Sequence, residues 1–168
     1  MCDIRDVRLG EGVEWAVHAT TLLAVLPPDR TLPAARLAEF HGVPPAYLAK
    51  ALQSLARAGL LESVPGPRGG YRLAKPAADI TVLDVVRAVE GDDPAFRCSE
   101  IRRRGPAGQP DEAYGHPCGI ARVMWSAEDA WRQVLRSTTV ADLLGRLAPD
   151  IAPAAVTATA VWIQEAAR

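Results

Sequence analysis

The sequence has few aromatic residues, few cysteines and no long apolar run, and these scarcities exclude several classes of protein. Aromatic residues make up 5% of the 168 residues, and there are three cysteines: Cys2, Cys98 and Cys118. The first residues are charged and lack the apolar core of a signal peptide, and no apolar run is long enough to span a bilayer. We therefore expect a cytoplasmic protein without a membrane segment, whose cysteines act as metal ligands, reactive thiols or buried side chains.

The remaining composition favours a folded, mainly helical chain with a locally basic surface. Hydrophobic residues make up 49% of the chain, and the net charge is −1. That net charge gives no overall sign of nucleic-acid binding, but DNA binding requires a basic face rather than a basic protein. Between residues 44 and 75, Glu62 is the one acidic residue against five basic ones: Lys50, Arg57, Arg68, Arg72 and Lys75.

The first half of the chain has the element order of a winged helix-turn-helix. Apolar periodicity and turn residues predict three helices and two short strands, over about 13–26, 34–40, 44–58, 60–64 and 71–73. Gly42 lies in the turn between the second and third helices, and a glycine-rich turn joins the two strands. A winged helix-turn-helix has this order of elements: helix, turn, helix and then a β-hairpin. We predict a mainly α protein with a small β-hairpin.

The second half contains a long irregular segment between helices. Helices are predicted over about 82–89, 118–136, 140–147 and 149–168. The segment 91–117 is dominated by glycine, proline and charged residues, and Cys98 and Cys118 bracket most of it. A connection of this length is usually functional or disordered. We therefore expect the chemistry of the protein to lie in this loop.

The third helix and the hairpin carry the predicted DNA contacts. In a helix-turn-helix the second helix enters the major groove, and its first turns reach the base edges. An arginine at the tip of the wing can enter the minor groove. The predicted contacts are Pro44, Tyr47, Lys50, Gln53 and Arg57 on the helix, and Arg68 and Arg72 on the wing. The alternative is an ordinary hairpin turn beside a solvated basic face.

Several segments closely resemble the IscR/NsrR-type family of winged-helix regulators. They are Leu55–Leu60 (LARAGL), Gly66–Ala74 (GPRGGYRLA), Ile80–Gly91 (ITVLDVVRAVEG) and Thr138–Leu143 (TTVADL). The resemblance covers roughly Val13 to Leu147. It implies a transcriptional regulator, not an enzyme, which needs no small-molecule substrate and binds double-stranded DNA.

The resemblance also implies a homodimer on a palindromic operator, with the long helix at about 118–137 pairing across the two-fold axis. It divides the chain into a DNA-binding region, 1–80, and a second region, 81–168. The second region would hold a cofactor-binding loop at 91–118, the dimerisation helix and the C-terminal helices.

Many members of this family hold an iron–sulfur cluster with three cysteines of that loop, and here the sequence departs from the pattern. The loop offers only Cys98 and Cys118. Some members recruit an acidic residue from the first helix of the partner subunit, and Glu14 stands where that residue would fall. Glu14 and His18 are spaced i, i+4, which places them on one helix face. By resemblance, a 2Fe–2S cluster would be held by Cys98, Cys118, Glu14 and His18, and the adjacent Trp15 would act as the switch.

Other interpretations of the cysteines stay open. His116 could replace Glu14 or His18 as a ligand. Cys98 and Cys118 could instead form a thiol–disulfide switch without a cluster, or bind zinc together with His116. An enzyme with Cys118 as nucleophile and His116 as base is a further alternative, but no third group that would orient the base is evident.

Overall fold

The structure, a computed structural model, describes residues 9–67, 69–104, 106, 108 and 110–167. Within them the chain forms helices α1 (Glu11–Ala24), α2 (Ala34–His41) and α3 (Pro45–Arg57), then strands β1 (Leu61–Val64) and β2 (Gly70–Leu73). These are followed by α4 (Val82–Glu90), α5 (Gly119–Arg136), α6 (Val140–Leu147) and α7 (Pro153–Ala166). The predicted mainly α fold with a small β-hairpin is confirmed. None of these helices is long and apolar enough to cross a membrane within the described part of the chain.

The helix-turn-helix consists of α2, a tight turn and α3. α2 is followed by its cap residue Gly42, whose φ of 64° lies in the left-handed region that glycine adopts without steric cost. Pro44 then caps α3 and Pro45 is its first residue, where a missing backbone N–H does no harm. The two helices are therefore separated by a short turn fixed by glycine and proline.

The wing is a two-stranded antiparallel hairpin that is also tied to the chain before α2. β1 pairs with β2 from Leu61↔Leu73 to Val64↔Gly70. The amide of Leu32 donates to the carbonyl oxygen of Tyr71 at 3.0 Å, and the amide of Tyr71 donates to the carbonyl oxygen of Leu32 at 2.8 Å. A Cβ atom on Gly70 would lie 2.5 Å from the Leu32 carbonyl oxygen. This close approach therefore requires glycine.

Helices α4 and α6 begin with the same reciprocal cap. The Thr81 hydroxyl accepts from the Asp84 amide while the Asp84 carboxylate accepts from the Thr81 amide, and Thr139 and Asp142 repeat the arrangement at α6. The backbones of the two caps also pair, with Thr81 opposite Thr139. The cap satisfies amides that a helix leaves unpaired at its N-terminus. It fixes where α4 and α6 begin.

The chain divides into two compact units. One contains the described residues of 9–91 and 135–168, which are the winged helix-turn-helix with α4, α6 and α7. The other contains 92–134, which are the predicted loop and most of α5. In the loop, Ile101–Arg103 and Asp111–Tyr114 form short 3₁₀ turns. The division into regions 1–80 and 81–168 is a statement about function, and it stays a prediction.

Candidate nucleic-acid interface and cysteine site

One face of α3 carries the side chains that the sequence predicts as DNA contacts. The opposite face is filled by Leu48, Leu52 and Leu55, which are completely buried. Residues three and four apart share a helix face, so a second, exposed face lies opposite these leucines. All of the predicted contacts on this segment are exposed: Pro44, Tyr47, Lys50, Gln53 and Arg57. Their contact with DNA stays a prediction.

Tyr47 links this exposed face to α1. Its side chain is 67% exposed, yet its ring meets the half-buried indole of Trp15 edge-on, with centroids 6.3 Å apart. A cavity of about 590 Å³ lies beside this contact, and Glu11, Trp15, Tyr47 and Lys50 are among its lining residues. The residue predicted as the switch therefore touches a residue predicted to touch DNA.

The wing carries the two arginines that the sequence predicts as DNA contacts, and the structure describes one of them. Arg68, the predicted minor-groove residue, lies outside the described residues. Arg72 donates from Nε to a Glu62 carboxylate oxygen at 2.8 Å, across the hairpin from it. This hydrogen bond lowers the pKa of Glu62 and raises that of Arg72. The Arg72 guanidinium is thus already engaged within the wing, and a contact with DNA would have to share it.

The first helix exposes the two residues predicted as cluster ligands. Glu14 and His18 are both exposed and lie one turn apart on α1. The His18 ring lies 5.8 Å, between centroids, from the ring of His41 at the end of α2. Burial first, and the nearby His18 second, lower the pKa of His41. Nε2 of His41 is buried and has no hydrogen-bond partner among the described residues. The sequence analysis did not identify this pair of histidines.

In the unit of residues 92–134, the two predicted cysteine ligands line one cavity. Its volume is about 410 Å³, and it is enclosed by Cys98, Cys118 and residues that include Phe96, Ile101 and Arg102. Both thiols are free; Cys98 is exposed and Cys118 is half-buried. Cys118 precedes the first residue of α5, and its Sγ accepts a hydrogen bond from the Ala121 amide at 3.2 Å. The cysteine therefore occupies the position of a helix cap.

Arg102 connects the two cysteine-bearing parts of the loop. Its guanidinium forms a two-point ion pair with Glu100 and donates to the carbonyl oxygen of His116 at 3.4 Å. Its own carbonyl oxygen accepts from the Tyr114 hydroxyl at 3.1 Å. The hydrogen bonds to Glu100 raise the pKa of Arg102, with a smaller contribution from Cys118. These contacts bring the segment after Cys98 to the segment before Cys118.

A buried ion pair on α5 ties down the start of the same loop. Oε1 of Glu128 accepts from the Ala95 amide at 3.3 Å and from Nε of Arg132 at 3.0 Å. Arg132 also pairs with Asp92 at 2.6 Å and donates to the Asp93 carbonyl oxygen at 3.3 Å. The sequence analysis did not identify this network. An i, i+4 acid–base pair among the apolar residues of a long helix was the available signal.

No group of three or more His, Cys, Asp and Glu side chains comes together as a metal site anywhere in the part of the chain that the structure describes. Cys98, Cys118 and His116 therefore do not form a three-ligand zinc site within one chain. The predicted cluster ligands also divide between the two units. Cys98 and Cys118 belong to the unit of 92–134, whereas Glu14 and His18 belong to the other.

Comparison with known proteins places these features in a family. The model of the Rrf2 family, described as an iron-dependent transcriptional regulator, matches residues 9–146. The HTH-type transcriptional regulator YwgB of Bacillus subtilis is 36% identical over 141 residues, which are 84% of this chain and 86% of that protein. Rv1287 of Mycobacterium tuberculosis, also named an HTH-type transcriptional regulator, is 32% identical over 145 residues, or 86% of this chain and 85% of that protein.

Solved structures agree with the fold. T. potens IscR superposes with a TM-score of 0.64 at 25% identity, covering 88% of this chain and 93% of that one. CymR, the global cysteine regulator of B. subtilis, gives a TM-score of 0.66 at 23% identity, covering 83% and 98%. The predicted IscR/NsrR-type resemblance is confirmed. The expectation that the chain is not an enzyme agrees with relatives that are named transcriptional regulators.

Proposed function

The chain belongs to the Rrf2 family of DNA-binding transcriptional regulators, and from that premise we propose that a 2Fe–2S cluster controls its affinity for operator DNA. One observation carries the proposal: Cys98 and Cys118 line a single cavity, and among the described residues no third His, Cys, Asp or Glu joins them in a metal-binding group. The Glu100 carboxylate also lines this cavity, but it is paired with Arg102. Glu14 and His18 stand exposed on another helix, one turn apart. A second copy of the chain is the source that would supply them.

The donor set fits half of such a site. A 2Fe–2S cluster takes four protein ligands, usually thiolates, and imidazole can replace thiolate on one iron. The cavity of Cys98 and Cys118 supplies two thiols from one chain. A carboxylate from Glu14 and an imidazole from His18 of the partner subunit would complete the set. The proposed similarity of this chain to the redox-sensing members of the family depends on these four ligands.

The output of the regulator is the exposed face of α3 together with the wing. Lys50 and Arg57 provide positive charge along that face, and Arg68 and Arg72 provide it on the wing. Such cations neutralise phosphates and orient the recognition helix, while Pro44, Tyr47 and Gln53 lie where side chains reach base edges. The protein would act in the cytoplasm, where the chromosome of a bacterium lies.

The dimer would form along α5. An apolar stripe on this helix is open to water in the isolated chain: Ile120, Val123, Met124 and Val134 are exposed. Their spacing by three, four and multiples of a turn places them along one side of the helix. Exposed apolar stripes of this kind mark interaction surfaces. Pairing of two α5 helices would relate two DNA-binding units by a two-fold axis and thus match a palindromic operator.

Residues of α1 connect the cluster to the DNA-binding face. When bound, the cluster would supply a one-electron change of charge next to Glu14 and His18. Trp15 lies between these ligands in the sequence and touches Tyr47 of α3. His18 also lies beside His41, next to the helix-turn-helix turn. A shift of α1 would thus act on Tyr47 of α3 and on His41 at the end of α2. A differential affinity of about 5.5 kcal/mol would move an equilibrium between two states from 1:99 to 99:1.

A mixed dimer tests the ligand set. One variant carries Cys98→Ala and Cys118→Ala, and the other carries Glu14→Ala and His18→Ala. Each alone should lack the visible absorption, iron and acid-labile sulfide of the anaerobically purified protein. When the two are co-expressed, one subunit supplies both thiols and the other supplies Glu14 and His18. The mixed dimer should therefore recover one complete site out of two, and half of the colour.

Three outcomes contradict the proposal. Colour that survives in the double-cysteine variant excludes Cys98 and Cys118 as ligands. Colour that survives in the Glu14 and His18 variant excludes those residues, and His116→Ala then tests the local alternative. Failure of the mixed dimer to regain colour, with both chains present by mass, excludes ligation across the dimer.

A thiol switch is the second candidate, and the placement of two free cysteines on one cavity favours it. Hydrogen peroxide would take two electrons and both thiol protons. The two thiols then form a disulfide, and the peroxide is reduced to two molecules of water. The disulfide would pin the loop across the cavity. A colourless protein whose Cys98–Cys118 disulfide forms with peroxide and alters operator affinity would establish this candidate in place of the cluster.

A further inference from the structure

Glu128 and Arg132 form a buried ion pair on α5 whose bonds reach beyond the helix. Their side chains are 10% and 13% exposed. Two groups spaced i, i+4 on a helix can satisfy one another without help. Here both also bind the start of the loop: Glu128 accepts from the Ala95 amide, and Arg132 contacts Asp92 and the carbonyl oxygen of Asp93.

Burying this ion pair costs free energy that apolar residues at the same positions would not cost. Removing two charges from water is unfavourable, and well-packed apolar residues often replace such a pair without loss of stability. The pair therefore calls for a role other than stability. The hydrogen bond to Asp92 is the main cause of the raised pKa of Arg132. Both charges act together to hold one segment, 92–95, against α5.

That segment leads directly to one of the two cysteines. Cys98 is three positions after Ala95, so the thiol-bearing residue can lie no more than about 10 Å from the anchored amide. Cys118 is fixed to the N-terminus of the same helix, since its Sγ caps α5. Both cysteines thus take their positions from α5.

We infer that Glu128 and Arg132 are positioning residues that hold Cys98 at the cavity it shares with Cys118. The inference rests on the proposed role of the two cysteines, and it adds residues to that site which bind neither iron nor DNA. Without the anchor, the loop start is free, and the effective concentration of one thiol at the other falls.

The test measures how fast a short bis-maleimide joins Cys98 to Cys118 within one chain of reduced, metal-free protein. Cys2→Ala is included throughout because Cys2 is the third cysteine of the chain. In that background Glu128→Ala should slow this crosslink several-fold. Alkylation of Cys98 as the sole thiol, after Cys118→Ala is added, should not slow. Glu128→Gln keeps an acceptor for the Ala95 amide, so its crosslinking rate should lie between those of Glu128→Ala and the wild type. Asp129→Ala removes an exposed carboxylate from the adjacent position of α5 and is the matched control, with an unchanged rate.

A folded Glu128→Ala protein that crosslinks at the wild-type rate overturns the inference. Far-ultraviolet circular dichroism establishes that each variant is folded, and Glu128→Gln and Arg132→Lys provide the measurement if the alanine variant is not. The crosslinking rate is measured without a cluster, so its outcome does not depend on whether the protein binds one. A slowed crosslink in a protein that never binds iron supports the anchor and rejects the cluster.

Discussion

The indole of Trp15 packs edge-on against the phenol of Tyr47, with ring centroids 6.3 Å apart. This contact joins α1, the helix that carries Glu14 and His18, to the exposed face of α3. Tyr47 therefore has two surfaces, one against Trp15 and one open to solvent. The stability of the helix pair and the affinity for DNA can be separated by substitutions at this position.

Tyr47→Ala should weaken operator binding and lower the free energy of unfolding. An aromatic pair contributes about 1 kcal/mol beyond the area it buries. Tyr47→Phe keeps the ring on Trp15 and removes only the hydroxyl, so its stability should match the wild type. Chemical denaturation and a fluorescence-anisotropy titration measure the two quantities. Equal stability of the alanine and wild-type proteins would contradict the contact.

Lys50→Ala should weaken DNA binding and reduce its dependence on salt. Each phosphate that a cation neutralises releases a counterion, so loss of one contact lowers the slope of log affinity against log salt by about 1. Arg146→Ala removes an exposed cation from α6 and serves as the matched control. An unchanged slope in the Lys50 variant would exclude a phosphate contact by this side chain.

The two wing arginines should behave differently. Arg68→Ala should reduce operator affinity in a gel-shift titration without lowering the unfolding temperature, because its predicted role is in the minor groove. Arg72→Ala also breaks the ion pair with Glu62, so part of its effect should appear as a less ordered hairpin. Wild-type affinity in the Arg68 variant would reject the wing as a DNA contact.

Gly70→Ala should destabilise the protein, since the added Cβ would lie 2.5 Å from the backbone of Leu32. Forcing extra volume into a closely packed site costs about 1–3 kcal/mol. Gly145 provides the contrast: it lies within α6, and nothing approaches a Cβ there within 4 Å. Gly145→Ala should stabilise by about 0.5–1 kcal/mol, because alanine favours helix over glycine. Thermal unfolding measures both, and the same sign in the two variants would contradict this packing.

Local patterns were sufficient to predict the winged helix-turn-helix. The spacing of Leu48, Leu52 and Leu55 identifies the buried face of α3, and these residues are fully buried. The glycine-rich segment predicts the hairpin, although β1 begins at Leu61 rather than Leu60. The last helix begins at Pro153 rather than near 149, because 148–150 form a separate 3₁₀ turn. Helix and strand periodicity depends on neighbours in the sequence, which is why it can be predicted.

Contacts that join distant parts of the chain could not be predicted in this way. Arg132 and Asp92 are 40 positions apart, and nothing in either neighbourhood indicates their partner. His18 and His41 are likewise brought together only by the packing of α1 against α2. Glu14 and His18 are exposed, as the proposal requires, and their role as ligands stays a prediction.

α7 lies after the segment that the family model matches, which ends at residue 146. Ile163 is buried in the main core, and the Trp162 ring lies 4.7 Å from the ring of Phe40, which belongs to the first helix of the helix-turn-helix. A recombinant fragment cut at the family boundary would leave Phe40 and the adjoining core open to water. Such a fragment should aggregate or unfold early, because the unit that folds is longer than the segment that the family model matches.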